Sequence, residues 1–115
     1  MYKEVEKLDF ILENIENIFI IIQRHNGIVK ALEDKIESRP AILMALLQIG
    51  ETLNKLENKY DTLNDEIRGA YQVRNFIAHD YMGIDIGLIE SIVRTKIPTL
   101  KSLLETIINK DTETK

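Results

Sequence analysis

A chain of 115 residues, 44% apolar and 30% charged, has material for one hydrophobic core and not for two. The absence of cysteine excludes a disulfide framework and a thiolate zinc site, and makes a cytoplasmic home the simpler expectation. A net charge of −4 argues against coating nucleic acid through a cationic surface, and no apolar run approaches membrane length, so no membrane association is expected.

From the N-terminus, Val5, Leu8, Ile11, Leu12, Ile15, Ile18, Phe19 and Ile22 step by threes and fours and predict a first helix. Ile20 and Ile21 widen its stripe, which implies burial on two sides, by neighbours or by a second subunit. Arg24, His25, Asn26 and Gly27 predict its stop, with Gly27 supplying left-handed geometry and His25 favourable to the helix dipole. A shorter helix is expected from about Ile28 to Ile36. Ser38-Arg39-Pro40 then reads as the start of a central helix, serine capping it, whose stripe runs from Ile42 to Tyr60. Gly50 inside that helix predicts close approach of a neighbour.

Tyr60 to Asp65 reads as a connection, followed by a helix carrying the stretch VRNFIAHDY, residues 73–81. A turn at Met82-Gly83-Ile84 precedes a last helix that Asp85 can cap and Pro98 should bend. These elements predict an all-α, up-and-down bundle of four or five helices. It occupies residues 1–110 as a single domain, with a frayed tail at 111–115.

At about 100° per residue, Ile67, Ala70, Tyr71, Ile77, Ala78 and Tyr81 fall on one apolar arc with Arg74 in its middle. Arg68, Gln72, Asn75 and His79 form a polar stripe beside it. A guanidinium keeps its charge at ordinary pH, and removing it from water costs several kcal/mol unless an anion meets it. That anion is either a carboxylate of the same fold, with Glu51 the candidate, or a visiting phosphate gripped by parallel hydrogen bonds. His79 is either an ordinary helix-end residue or a group able to move a proton near neutral pH, with Asn75 one turn away to orient it and Tyr81 close by. Two distant histidines without ligand spacing predict no metal site, and nothing in the sequence calls for a cofactor. Glu51 with Lys55 is expected to form an exposed pair, and Arg94, Lys96 and Lys101 a solvated face.

RNFIAHDY, an arginine, four residues, a histidine, one residue and a tyrosine, resembles the signature of the HEPN superfamily, and specifically of its HepT-like toxins. LMALLQIGETLNKL is similar to that family's central helix with its Ile-Gly-Glu element, and HDYMGIDIGLIESIV to the segment after the histidine. The likeness spans roughly residues 3 to 108. It implies a metal-independent endoribonuclease that works as a homodimer on RNA. Arg74 would hold the scissile phosphate, His79 would act as general acid or base, and Asn75 would orient the histidine or the substrate. The resemblance also implies a partner, an MNT-type nucleotidyltransferase antitoxin in a toxin–antitoxin pair of type II or a type VII-like kind, which in some systems transfers AMP to the tyrosine matching Tyr81. Two other readings stand beside it. One is a non-catalytic accessory or substrate-binding subunit of a nucleotidyltransferase; the other is a helical dimerisation module with Arg74 paired internally.

Overall fold

The computed structural model describes the backbone of residues 2–113 and the side chains of residues 4–110. Every regular element among them is helical. α1 spans Tyr2–Arg24, α2 Ile28–Glu33, α3 Ser38–Asn54, α4 Asn64–His79, α5 Ile86–Ser91 and α6 Ile97–Glu113. A 3-10 turn at Asp61–Leu63 leads into α4, and a π-helical turn at Ile92–Lys96 joins α5 to α6 as one interrupted rod. Counted so, the described residues form four long rods and the short α2, the all-α bundle that the sequence predicts.

α1 lies against both α3 and α6, neighbours on two sides that bury its main stripe. Leu8, Ile11, Ile15 and Ile18 are shut off from solvent, while Ile20 stays exposed. Across the end of α1, Gly27 N–H donates to Ile22 O (2.9 Å) and Asn26 N–H to Gln23 O (3.2 Å), the paired bonds of a Schellman stop. Asn26, with φ 61°, takes the left-handed position expected of Gly27; the glycine follows it at φ 134°, a region closed to most side chains.

α2 ends at Glu33, three residues before its expected limit, because Asp34 is needed as a cap for the next helix. Its Oδ1 accepts from the N–H groups of Ile36 and Glu37 and its Oδ2 from that of Ser38. These bonds hold its carboxyl below the ordinary 3.8, the Glu37 N–H contributing most. Ser38 is therefore the first residue of α3 and not its cap. Its buried hydroxyl donates to Asp34 Oδ2 (3.1 Å) and lies 2.7 Å from His25 Nε2, while His25 Nδ1 meets Ile21 O at 2.9 Å. His25 thus ties the end of α1 to the start of α3, beyond any dipole effect.

α3 stops at Asn54, short of Tyr60, yet Leu56 remains buried on the stripe's line from within a series of turns. α4 has α3 as its principal neighbour. Gly50 makes that contact possible: a Cβ there would stand 2.7 Å from Ala70 O and 2.8 Å from Arg74 Cβ.

In the last rod, Asp85 caps α5 as expected, accepting from Leu88 N–H at 3.2 Å. The irregularity predicted at Pro98 is a wide turn just ahead of it, closed by Ile97 N–H donating five residues back to Ile92 O. Proline has no N–H to give and its ring crowds the carbonyl four residues earlier, so the helix widens where the ring must fit. Lys101 is no solvated cation. Its Nζ pairs with Glu16 on α1 (3.0 Å) over the ring of Phe19, and the Glu16 bond raises its pKa. The backbone of α6 continues as helix to Glu113, into the tail expected to fray from residue 111; the rest of that tail and all of its side chains lie outside the described residues.

Candidate functional site

Arg74 leaves α4 beside the Gly50 contact and is met there by an internal acid. Glu51 Oε1, from α3, accepts from Arg74 Nε (3.1 Å) and Nη2 (2.9 Å). The exposed Glu51–Lys55 pair expected from spacing is not what Glu51 forms. Arg74 Nη1 donates to Asn75 Oδ1 at 3.1 Å, and the guanidinium carbon sits 5.6 Å from the centre of the Tyr71 ring. The arginine remains 28% exposed and its glutamate 40%. Paired and wet, it belongs to neither extreme of a buried ion or a free one.

His79 is the last residue of α4 and is exposed, its imidazole making no hydrogen bond among the described residues. Five residues separate it from Arg74, which on a helix means roughly 140° of rotation and about 7.5 Å of rise. Within one chain the two side chains therefore leave the helix in divergent directions. Asn75 lies one turn from His79, yet its recorded bond is to Arg74.

The helix ends before Tyr81, so that residue does not lie on the apolar arc. Asp80 breaks the helix with φ −147° and ψ 61° and accepts from Gly83 N–H at 3.1 Å, folding residues 80–83 into a turn. Tyr81 is 43% exposed on that turn, beside an almost fully exposed Met82. Ala78, also assigned to the apolar arc, is exposed as well.

The outward face of α4 holds what the sequence reading missed. Gly69, Gln72, Phe76 and His79 follow one another at threes and fours, and Phe76 is 57% exposed. Unlike Gly50, Gly69 has nothing within 4 Å of where a Cβ would be. Next to this face opens a groove of about 410 Å³ floored by Leu46, Ile49, Val73, Ile97 and Leu100, with Glu66 and Lys96 also lining it. The spacing could have revealed Phe76, because it falls on the polar stripe between Gln72 and His79.

A profile of the ribonuclease HepT-like family, within the HEPN superfamily, matches residues 11–107, which takes in α3, α4 and the whole Arg74 to Tyr81 stretch. The chain belongs to this family. Among its HepT-like relatives, a probable ribonuclease HepT from Thermococcus cleftensis is 33% identical over 67 residues, 56% of this chain. The match spans 61% of that relative's own length. No solved structure matches. Among the described residues of this HepT-like chain, no three His, Cys, Asp or Glu side chains cluster as metal ligands, and no helix is long and apolar enough to cross a membrane.

Proposed function

We propose that this chain is a metal-independent endoribonuclease that works as a homodimer, with Arg74 and His79 as its catalytic residues. The observation that carries the reading is the pair of solvent-reached groups on α4, a held cation and an uncommitted imidazole, in a chain of the HepT-like family. Arg74 binds the phosphodiester and stabilises the charge that grows on its oxygens. One His79 takes the proton of the ribose 2′-hydroxyl as its oxygen attacks phosphorus. The other subunit's His79, protonated, gives a proton to the departing 5′-oxygen as the P–O5′ bond breaks. The products are a 2′,3′-cyclic phosphate and a 5′-hydroxyl.

Three features support a dimer through the outer face of α4. The divergence of Arg74 and His79 on one helix is resolved when the histidine of a second copy approaches. Gly69 also gives up roughly 1 kcal/mol of helix propensity with nothing near it, a loss that a crossing helix explains. Exposed Phe76 supplies apolar area for such a contact.

The cytoplasmic partner in this reading is an MNT-type nucleotidyltransferase antitoxin that neutralises the toxin, transferring AMP to Tyr81. The exposed phenol, with no hydrogen-bond partner among the described residues, supports this. A bulky anion placed there would obstruct RNA sterically and electrostatically.

The Arg74–Glu51 pair is the observation that favours a second reading, a non-catalytic interaction module whose arginine is neutralised at home. The two separate in one assay. The purified dimer should cut single-stranded RNA in EDTA, and His79→Ala should remain dimeric and folded while losing cleavage. A wild-type protein that leaves RNA intact, or a variant that cuts as well as wild type, overturns the ribonuclease in favour of the module.

A further inference from the structure

The geometry points to Glu51 as a positioning residue for Arg74, one that fixes which edge of the guanidinium is offered to a phosphodiester. This inference rests on the ribonuclease reading and deepens it. A guanidinium carries five N–H donors in a rigid plane. Glu51 Oε1 takes two of them, on Nε and Nη2, and Asn75 Oδ1 takes one on Nη1. Two remain, one on each terminal nitrogen, with no other partner among the described residues. These two N–H groups sit on the two terminal nitrogens, away from the Nε edge that Glu51 occupies, where the oxygens of a phosphate can be met.

Three contacts fix the plane in space. Glu51 holds one edge from α3, Asn75 holds one terminal nitrogen, and the Tyr71 ring lies 5.6 Å below the guanidinium carbon. Gly50, the residue before Glu51, lets α4 come close enough for the carboxylate to reach, since any side chain at 50 would meet Arg74 Cβ. The Gly-Glu step thus acts as a unit: the first residue brings the arginine in and the second aims it.

The acid has two opposed effects on an incoming phosphate. Its oxygen, as a hydrogen-bond acceptor, saves the long arginine side chain from searching rotamers in the reacting complex, which favours turnover. Its charge repels the phosphate and weakens ground-state binding. Glutamine separates the two, because it keeps an acceptor oxygen at the same reach and drops the charge. Alanine removes both.

The test compares wild type, Glu51→Gln, Glu51→Ala and Arg74→Ala as full-length chains, in cleavage of a short RNA and in binding of its uncleavable 2′-O-methyl counterpart. Glu51→Gln is expected to keep kcat within about twofold of wild type and to bind severalfold more tightly, whereas Glu51→Ala loses kcat on the order of tenfold or more. Rescue by glutamine, with KM and kcat moving apart, is a pattern that mere loss of stability does not produce. Wild-type kcat in Glu51→Ala, or an equal loss in both variants, overturns the assignment. If wild type binds the 2′-O-methyl RNA but cuts no RNA, the ribonuclease reading fails alone. Tighter binding by Glu51→Gln than by both wild type and Glu51→Ala still upholds Glu51's role, and Glu51→Gln binding no more tightly than either refutes it. Absence of binding in every variant refutes both.

Discussion

Gly50 lies directly under Arg74, so close that a Cβ on the glycine would stand 2.8 Å from the arginine's own Cβ. Neither atom can yield without moving a helix, because the same Cβ would also press on the backbone oxygen of Ala70 at 2.7 Å. The arginine's position is therefore a property of the α3–α4 contact and not of its side chain alone.

The first prediction sets two glycines against each other. Alanine gains about 1 kcal/mol over glycine as a helix former at either site, but at position 50 the overpacking costs about 1–3 kcal/mol and offsets that gain. Gly50→Ala should thus lower the urea midpoint with m unchanged. Gly69→Ala, in open space, should raise the stability of the isolated protomer and weaken self-association, as followed by sedimentation at a series of concentrations. A Gly50→Ala chain as stable as wild type would mean that the helices can part freely. Undiminished association of Gly69→Ala would remove the outer face of α4 as the dimer surface.

Asp34 gives a signed pH dependence. Its carboxyl is held below 3.8 chiefly by the Glu37 N–H, with those of Ile36 and Ser38, in the turn that leads into α3, so its contribution is present above that pH and is lost as pH falls through the lowered value. Asp34→Asn should therefore be less stable near neutrality and show a shallower loss of stability below pH 3.8. Parallel acid unfolding curves for variant and wild type would contradict the capping role.

Lys101 behaves in the opposite sense at the alkaline end. Its pKa is raised above 10.5, chiefly by the hydrogen bond to Glu16, so the stabilisation is full below 10.5 and disappears as pH rises through the higher folded value. Lys101→Met keeps a long apolar stem over Phe19 and removes the charge. The stability difference between the two proteins should shrink as pH rises past 10.5 and through the higher folded value, where Lys101 loses its proton. A constant difference would show that packing and not the ion pair joins α6 to α1.

Tyr81 tests the proposed neutralisation. Incubation with the cognate nucleotidyltransferase and ATP should add one adenylate mass to the peptide carrying Tyr81, and Tyr81→Phe should stay unmodified. An unchanged mass with demonstrably active partner would leave non-covalent neutralisation alone.

Periodicity made the bundle legible, because helices that bury one stripe must repeat it; α1, α3 and α4 were found in order and the Gly50 contact with them. Capping was legible only where one residue acts alone, as Asp85 does. At the α2–α3 junction the cap comes from Asp34, four residues ahead of Ser38, and a choice between two oxygen-bearing residues depends on how the chain turns between them. In the site, the wheel placed Arg74 on the packed side, and the need of a partly buried guanidinium for an anion pointed to Glu51 as one of its two candidate partners. It failed at Tyr81, since a wheel assumes a helix that Asp80 has already ended. It also had no means of showing that the outward face of α4 lacks a neighbour, which is a fact about the other helices.

The central claim is tested most directly by the ends left on a defined single-stranded RNA after incubation with the purified protein in EDTA. Attack by the ribose hydroxyl with proton transfer through His79 predicts 2′,3′-cyclic phosphate and 5′-hydroxyl ends, absent with His79→Ala. Ends bearing a 5′-phosphate, or identical products from the alanine variant, would contradict it.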